Sequence, residues 1–416
     1  MKILFLSTEN PYPPDHGHHI RTLNILEGLA KQNEIYFIGF AQHQKELAHC
    51  TYLENLCKNV LIFRIKQGIF KWRYYLRLSL NLFSRYPYTV QRYLMSDVKK
   101  AIAQMISKND IDLVHVDMLH LAAYHDEIGE RACVLVDHNV ESLRMRRWMT
   151  VETNIIIKLY IYFQYLKLKH FEKQMCAVFD RCVVVSDVDK EILCKMTGTD
   201  NFTVIPNGVD TEYFKPGNTN YDPYGLVWVG GMEGPYNRDA VIFFIDDIFP
   251  LIETKIPTAR VTFVGASPPA KLIKKAKENS NVKVVGYVDD VRPYVDQAAI
   301  FVAPIRSGSG TKIKILNALA QQKAVVTTSI GAEGIDIIPD QHFMIADSAR
   351  EFADAIIYLF KNQHRIVELG RNGRKLVEEK YSWQQINRQV ERLYQALVNG
   401  HQSASGTKIT DNLASL

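Results

Sequence analysis

Short apolar runs rich in β-branched residues recur along the chain, each followed by a longer stretch of helical periodicity. In the first half they lie at 3–7, 35–40, 60–65, 111–116, 133–136 and 182–185. They are continuous rather than alternating, the pattern of strands covered on both faces. Helical patterns such as 20–32 fill the intervals. Strand–helix alternation of this kind predicts a parallel, doubly wound sheet. The pattern then restarts, with strands expected at 225–229, 260–264, 282–285, 300–303, 324–328 and 342–345. The fold class is therefore α/β, with two Rossmann-like domains.

The stretch between the two series is rich in Pro, Gly and Asn and has no period, so a linker is expected at 213–225. Domains of 1–212 and 226–380 flank it. Trp383, Ile386, Val390, Leu393 and Leu397 recur at helical spacing and predict an amphipathic helix over 381–398. Periodicity leaves open whether it packs on its own domain or crosses back to the first. The remaining polar, small-residue segment, 399–416, is expected to be a disordered tail.

Composition narrows the class. The chain has 416 residues, enough for two or three cores. A net charge of +5 is too weak to imply nucleic acid. None of the six cysteines forms a C-x-x-C pair, which reads as buried thiols in a reducing compartment. Met1 to Ser7 reads as a first strand rather than a signal peptide. No apolar stretch approaches a membrane span of roughly 18 residues, so a cytoplasmic location is expected. The charge is uneven, however. From Arg64 to Lys100, Asp97 is the only acid among nine basic residues and many aromatics, and 155–173 mixes Tyr160, Tyr162, Phe163 and Tyr165 with Lys158, Lys167 and Lys169. These segments suit peripheral contact with an anionic membrane; a solvated basic face is the alternative.

Four segments carry chemistry. The first runs from Ala303 through Arg306-Ser307-Gly308-Ser309-Gly310-Thr311 into a helix. Its glycines let backbone amides approach an anion, and the helix start adds partial positive charge. Helical spacing puts Gly310, Lys314, Asn317 and Gln321 on one face, suited to a diphosphate followed by a ribose. A Gly-rich turn capping a surface helix is the plain alternative, and no Walker pattern is present. The second, Val229-Gly230-Gly231 followed by Asn237-Arg238-Asp239-Ala240, again joins a strand end to a helix start. Arg238 is expected near the same crevice unless it is simply solvated. The third is the loop 11–19 with His16, Gly17, His18 and His19. Adjacent His18 and His19 do not suit one ion, so an acceptor or phosphate contact is preferred and no metal is expected. The fourth is Asp137-His138-Asn139 beyond a strand end, where His138 either contacts a sugar hydroxyl or moves a proton, or is structural.

Taken together and in this order, these segments resemble glycosyltransferase family 4, a retaining family of the GT-B fold. The resemblance covers nearly the whole chain. Val204-Ile205-Pro206-Asn207-Gly208-Val209-Asp210 is similar to the family's I-P-N-G-V-D signature, and Phe171-Glu172 with Phe179-Asp180 and Val183 to Ser186 to its final N-domain stretch. Gly286-Tyr287-Val288-Asp289-Asp290 resembles the loop against the nucleotide base. The stretches around Asn237 and from Arg306 to Ala320 look like a branch associated with exopolysaccharide and capsule assembly. The resemblance implies two Rossmann-like domains whose parallel sheets face each other across a cleft, an N-terminal acceptor domain and a C-terminal nucleotide-sugar domain. By the same likeness Gly17 approaches the donor phosphate, with His18 where a second glycine is usual. His138 contacts the transferred sugar, Arg238 and Lys314 are the diphosphate cations, and Val288 meets the base through its backbone. Gly231, Gly308, Ser309, Gly310, Thr311 and Asn317 complete the expected nucleotide-sugar site, and His18 and His19 an acceptor loop. The family's Glu-x7-Glu element is replaced by Ser309 and Asn317.

The implied reaction moves a hexose from a nucleotide-diphosphate sugar to a saccharide or lipid-linked acceptor, with no cofactor. Lys314, Arg238 and loop amides would stabilise the departing diphosphate. A non-catalytic scaffold of a polysaccharide assembly complex and a nucleotide-sugar epimerase stand as alternatives.

Overall fold

A computed structural model describes the chain except for residues 15–16, 43–49, 66–70, 218–219, 309 and 414–416, and except for the side chains of 71–74, 151, 402 and 404–413. The chain divides into two compact units, Met1–Ile205 with Asn387–Leu416, and Pro206–Ile386.

Unit 1 holds seven strands: β1 (Lys2–Ser7), β2 (Glu34–Ala41), β3 (Asn59–Arg64), β4 (Leu113–Asp117), β5 (Ala132–Val136), β6 (Arg181–Val184) and β7 (Phe202–Val204). They form one sheet in the order β3-β2-β1-β4-β5-β6-β7, with every pair parallel. Unit 2 repeats the plan with β8 (Asp222–Val229), β9 (Arg260–Val264), β10 (Val282–Gly286), β11 (Ala298–Ala303), β12 (Ala324–Thr327) and β13 (Met344–Ile345), ordered β10-β9-β8-β11-β12-β13. In each sheet the order reverses once, between β1 and β4 and between β8 and β11. The helices that matter below are α1 (Gly17–Ala30), α2 (Lys71–Asn81), α3 (Glu141–Val151), α4 (Ile155–Val178), α5 (Pro235–Phe243), α6 (Ile313–Ala320) and α7 (Trp383–Leu413).

The continuous apolar runs have the expected cause. On β11, Ile300 and Val302 join one buried cluster with Trp228 and Phe263, while Phe301 and Ala303 join another with Ile315, Leu319 and Phe343. Both faces of the strand are covered, so neither parity is polar.

Three boundaries differ from expectation. The stretch after Ile205 folds with unit 2: Val209 N donates to Tyr381 O at 2.8 Å, Trp383 N donates to Val209 O at 3.2 Å, and the Val209 side chain is buried. Strand β8 begins inside the expected linker, at Asp222. The last helix leaves unit 2 after Ile386 and continues as part of unit 1. There Asn387 Nδ2 donates to Asn24 O at 3.1 Å, and Asn33 Nδ2 donates to Glu391 Oε2 at 2.9 Å. The helix also runs on to Leu413, so the expected tail at 399–413 is helical. No proline interrupts it, Ser403 Oγ donates to Asn399 O at 2.9 Å, and His401 pairs with Asp180 at 3.1 Å.

Candidate functional site

In doubly wound sheets, ligands bind beyond the carboxyl ends of the strands where the order reverses. Both units place their chemistry there.

In unit 2 the loops after β8 and β11 converge. Lys314, in the first turn of α6, extends its ammonium to within 3.0 Å of Asn237 Oδ1 on α5, and the same group lies 4.3 Å from the centroid of the Trp228 ring. Asn237 is itself held, its amide donating to Gly231 O at 2.6 Å. Gly230 has φ +148, and a β-carbon there would lie 2.6 Å from Lys314 Nζ, so the close approach needs glycine. Loss of water around the lysine, with Lys312 nearby, pulls its pKa from 10.5 to about 7. Its partners are a neutral amide and a ring face, so a bound anion would supply the missing counter-charge.

The rest of the expected nucleotide site lies along these loops. Gly308 and Gly310 have φ of +121 and +71, as a tight glycine turn requires. Thr311 is buried, its hydroxyl 3.4 Å from Gly334 O. Asn317 is half-buried one turn after Lys314, and no hydrogen bond of its side chain occurs among the described residues. Gly231 is exposed, and Val288 packs half-buried against the core. Ser309 lies outside the described residues. One placement departs from expectation. Gln321 turns inward, donating to Arg292 O and Asp296 Oδ1, and so does not share the polar face. Arg238 is exposed beside Asn237, in the first turn of α5. The neighbouring cation that is fixed is Arg306, paired with Asp239 at 2.5 and 3.0 Å and lying over Phe243.

In unit 1 the centre is Asp117, the last residue of β4, which is 1% exposed. His138 Nε2, beyond β5, is 2.7 Å from Oδ1; His18 Nε2, from α1, is 3.1 Å from Oδ2; Thr22 Oγ1 donates to Oδ2 at 2.6 Å. Behind it His115 stacks on Phe5 and is hydrogen-bonded to Tyr394 of α7. Arg21 is fully buried, donates to Ile205 O at 2.8 Å and is attracted by Asp117. Burial would raise the Asp117 carboxyl. The attraction of His138, the proximity of His115 and the hydrogen bonds of His138 and His18 outweigh it and hold the group well below the usual range. Burial takes His138 down to about 4 against the pull of Asp117, so near neutral pH it is the uncharged imidazole. A carboxylate only accepts. The His138 proton therefore sits on Nε2, and Nδ1 carries a lone pair ready for a hydroxyl donor. Among the sequence candidates, the structure thus joins His18 to His138. His19 turns away, its ring between Glu9 Oε2 at 2.9 Å and Pro13 O at 3.1 Å, and Gly17 is the exposed first residue of α1.

The ligand atoms of His18, Asp117 and His138 lie within 4.8 Å of one another and form the one such group among the described residues. With both Nε2 atoms donating to Asp117 the three form a hydrogen-bond network; with the other tautomers the same atoms would offer two imidazole lone pairs and a carboxylate oxygen to a divalent ion, beside buried Arg21.

Sequence reasoning missed Asp117, although a polar residue ending a central strand is a signal. Glu172 entered only as part of the stretch resembling the family's final N-domain segment; in the structure its carboxylate accepts from Glu141 N at 2.7 Å and from Ser142 N at 3.2 Å and so caps α3. Burial raises Glu172 to about 7. This cap fixes the segment that carries His138, and only the fold brings the two together.

Residues 17–213 match the model for Glycosyltransferase Family 4, and residues 223–362 match that for Glycosyl transferases group 1. The chain thus carries a glycosyltransferase family 4 domain followed by a glycosyl transferases group 1 domain, and its two Rossmann-like units have the GT-B fold. It is 24% identical over 398 residues to an uncharacterized 44.6 kDa protein in the cps region of Klebsiella pneumoniae, covering 92% of this chain and 97% of the relative. It is also 24% identical over 203 residues to the capsular polysaccharide biosynthesis glycosyltransferase CapM of Staphylococcus aureus, covering 47% of this chain and 51% of CapM. Among solved structures, Anabaena HepE in complex with UDP superposes with a TM-score of 0.67 at 15% identity, covering 95% of this chain and all of HepE.

Proposed function

We propose that this glycosyltransferase moves a hexose from a nucleotide-diphosphate sugar to a saccharide or lipid-linked acceptor in cell-surface polysaccharide synthesis, with retention of configuration and without a metal ion. The observation that carries the donor reading is Lys314, a partly dehydrated cation beside a glycine turn at the β8/β11 switch point, faced by Asn237 and Trp228. Negative charge on the departing diphosphate meets a cation already in position. Arg238 joins it from the neighbouring turn, the backbone of Val288 meets the base, and Asn317 bonds the ribose as a neutral partner. His138 Nδ1 accepts from a hydroxyl of the transferred hexose. Retention follows from attack on the face that the leaving group vacates, so no side-chain nucleophile is assigned. The relatives from capsule loci support the polysaccharide role, and the UDP-bound relative supports a nucleotide partner. No cofactor and no nucleic acid take part, and the site of action is the cytoplasmic face of the membrane.

The test is to incubate the purified chain with UDP- and GDP-hexoses and saccharide acceptors, with and without EDTA, and to read the anomeric configuration of the product by NMR. Retained configuration and unchanged rates in EDTA are expected. Inversion, or loss of transfer on chelation, would overturn the mechanism. Failure to bind either nucleotide would leave a scaffold.

A further inference from the structure

Helix α4 has two apolar faces. One, with Ile161, Leu168 and Phe171, is buried in unit 1. The other is in water: Ile155 and Ile156 are 75% and 77% exposed, and Leu159, Phe163 and Leu166 are 55%, 47% and 43% exposed. These residues recur at helical spacing, so they form a stripe rather than a scatter. The stripe does not end on its own helix. Lys167 Nζ donates to the carbonyls of Asn81, Leu82 and Ser84 at 2.6, 2.9 and 2.7 Å, clamping the turn after α2 beside α4. Leu80, in the last turn of α2, and Phe83, in the turn that follows, are 61% and 92% exposed. Contiguous exposed apolar groups of this size mark an interaction surface.

Charge decides what covers it. From residue 71 to 92 there are five Lys or Arg and no acid; from 142 to 171 there are six, with Glu152 the only acid. Arg77, Arg85, Arg146 and Lys169 are exposed. A second copy would set cationic rim against cationic rim. An anionic bilayer offers acyl chains to the stripe and phosphates to the rim. Among the described residues no helix is long and apolar enough to cross a membrane, so the contact is with its surface.

We propose that this face of unit 1, the outer stripe of α4 with Leu80 and Phe83, docks on a bilayer containing anionic phospholipid. This deepens the reading of a lipid-linked acceptor by naming the surface that holds it. The test uses lipid alone, so its failure leaves the transfer assay untouched. The full chain is co-sedimented with phosphatidylcholine vesicles, with and without phosphatidylglycerol, at low and high salt. Binding is expected to the anionic vesicles, weakened by salt, and the double variant Ile156→Glu/Phe83→Ser should reduce it at least about tenfold. Both side chains are exposed, so an unchanged melting temperature should accompany the loss. Three results would overturn the proposal: no binding to either vesicle, equal binding by the variant, or a dimer in analytical ultracentrifugation that the variant dissolves.

Discussion

The two units place their chemistry at the same topological position and fill it with opposite charge. At the β1/β4 reversal, unit 1 buries an anion, Asp117, among imidazoles, a hydroxyl and Arg21. At the β8/β11 reversal, unit 2 holds a cation, Lys314, against an amide and an indole. The anion is closed on itself: each oxygen of Asp117 already accepts hydrogen bonds, and its effect reaches a ligand through the imidazoles of His138 and His18. The cation is open, because neither of its neighbours carries a negative charge. The difference teaches that a shared fold supplies a location and no chemistry. One site is built to orient a neutral group, the other to receive a charged one.

The sharpest way to break this contrast is to remove the open cation. Lys314→Ala should slow transfer by about 10² to 10³-fold and weaken UDP or GDP binding, with the melting temperature unchanged. Wild-type turnover in this variant would move the diphosphate elsewhere. The same lysine sets a pH signature. The free protein loses its proton near pH 7, whereas a bound diphosphate keeps it protonated, so binding takes up a proton above that pH. Nucleotide affinity measured by calorimetry should therefore fall as pH rises beyond 7, by up to about tenfold per unit. Lys314→Met should flatten that slope.

The closed anion is tested by a change that keeps its shape. Asp117→Asn places a donor where two imidazoles now donate, and the His138 tautomer is no longer fixed. The turnover number should drop on the order of 10²-fold while nucleotide affinity stays within about twofold, the reverse of a defect in unit 2. Buried Arg21 loses its compensating charge in this variant, so a lower melting temperature is expected alongside. A proportional loss of nucleotide binding would show that the two sites are not separable.

Arg238→Ala, at an exposed position, should cost less than Lys314→Ala, on the order of tenfold in nucleotide affinity. The smallest effect belongs to Asn317. Its neutral amide should contribute a factor of about 2 to 10 to nucleotide binding, so Asn317→Ala weakens it and Asn317→Glu tightens it. Tight binding unaffected by Asn317→Ala would place the ribose elsewhere.

The sequence by itself determined the layers of this protein and the loops that carry its chemistry. Apolar runs longer than a half-covered strand allows required sheets covered on both sides, and glycines at strand ends marked where backbone must turn tightly; both are local properties, written in neighbouring residues. Tertiary structure decided what those loops hold. Asp117 lies 99 positions from His18 and 21 from His138, and Asn237 lies 77 from Lys314. Whether a histidine is neutral or a lysine half-dehydrated depends on such distant partners and on the water they exclude. The outer stripe of α4 shows the same limit. Its mixture of basic and aromatic residues suggested a surface-seeking segment, but only the fold shows which face the core takes and which it leaves to solvent, because burial belongs to the packed chain and not to any segment of it.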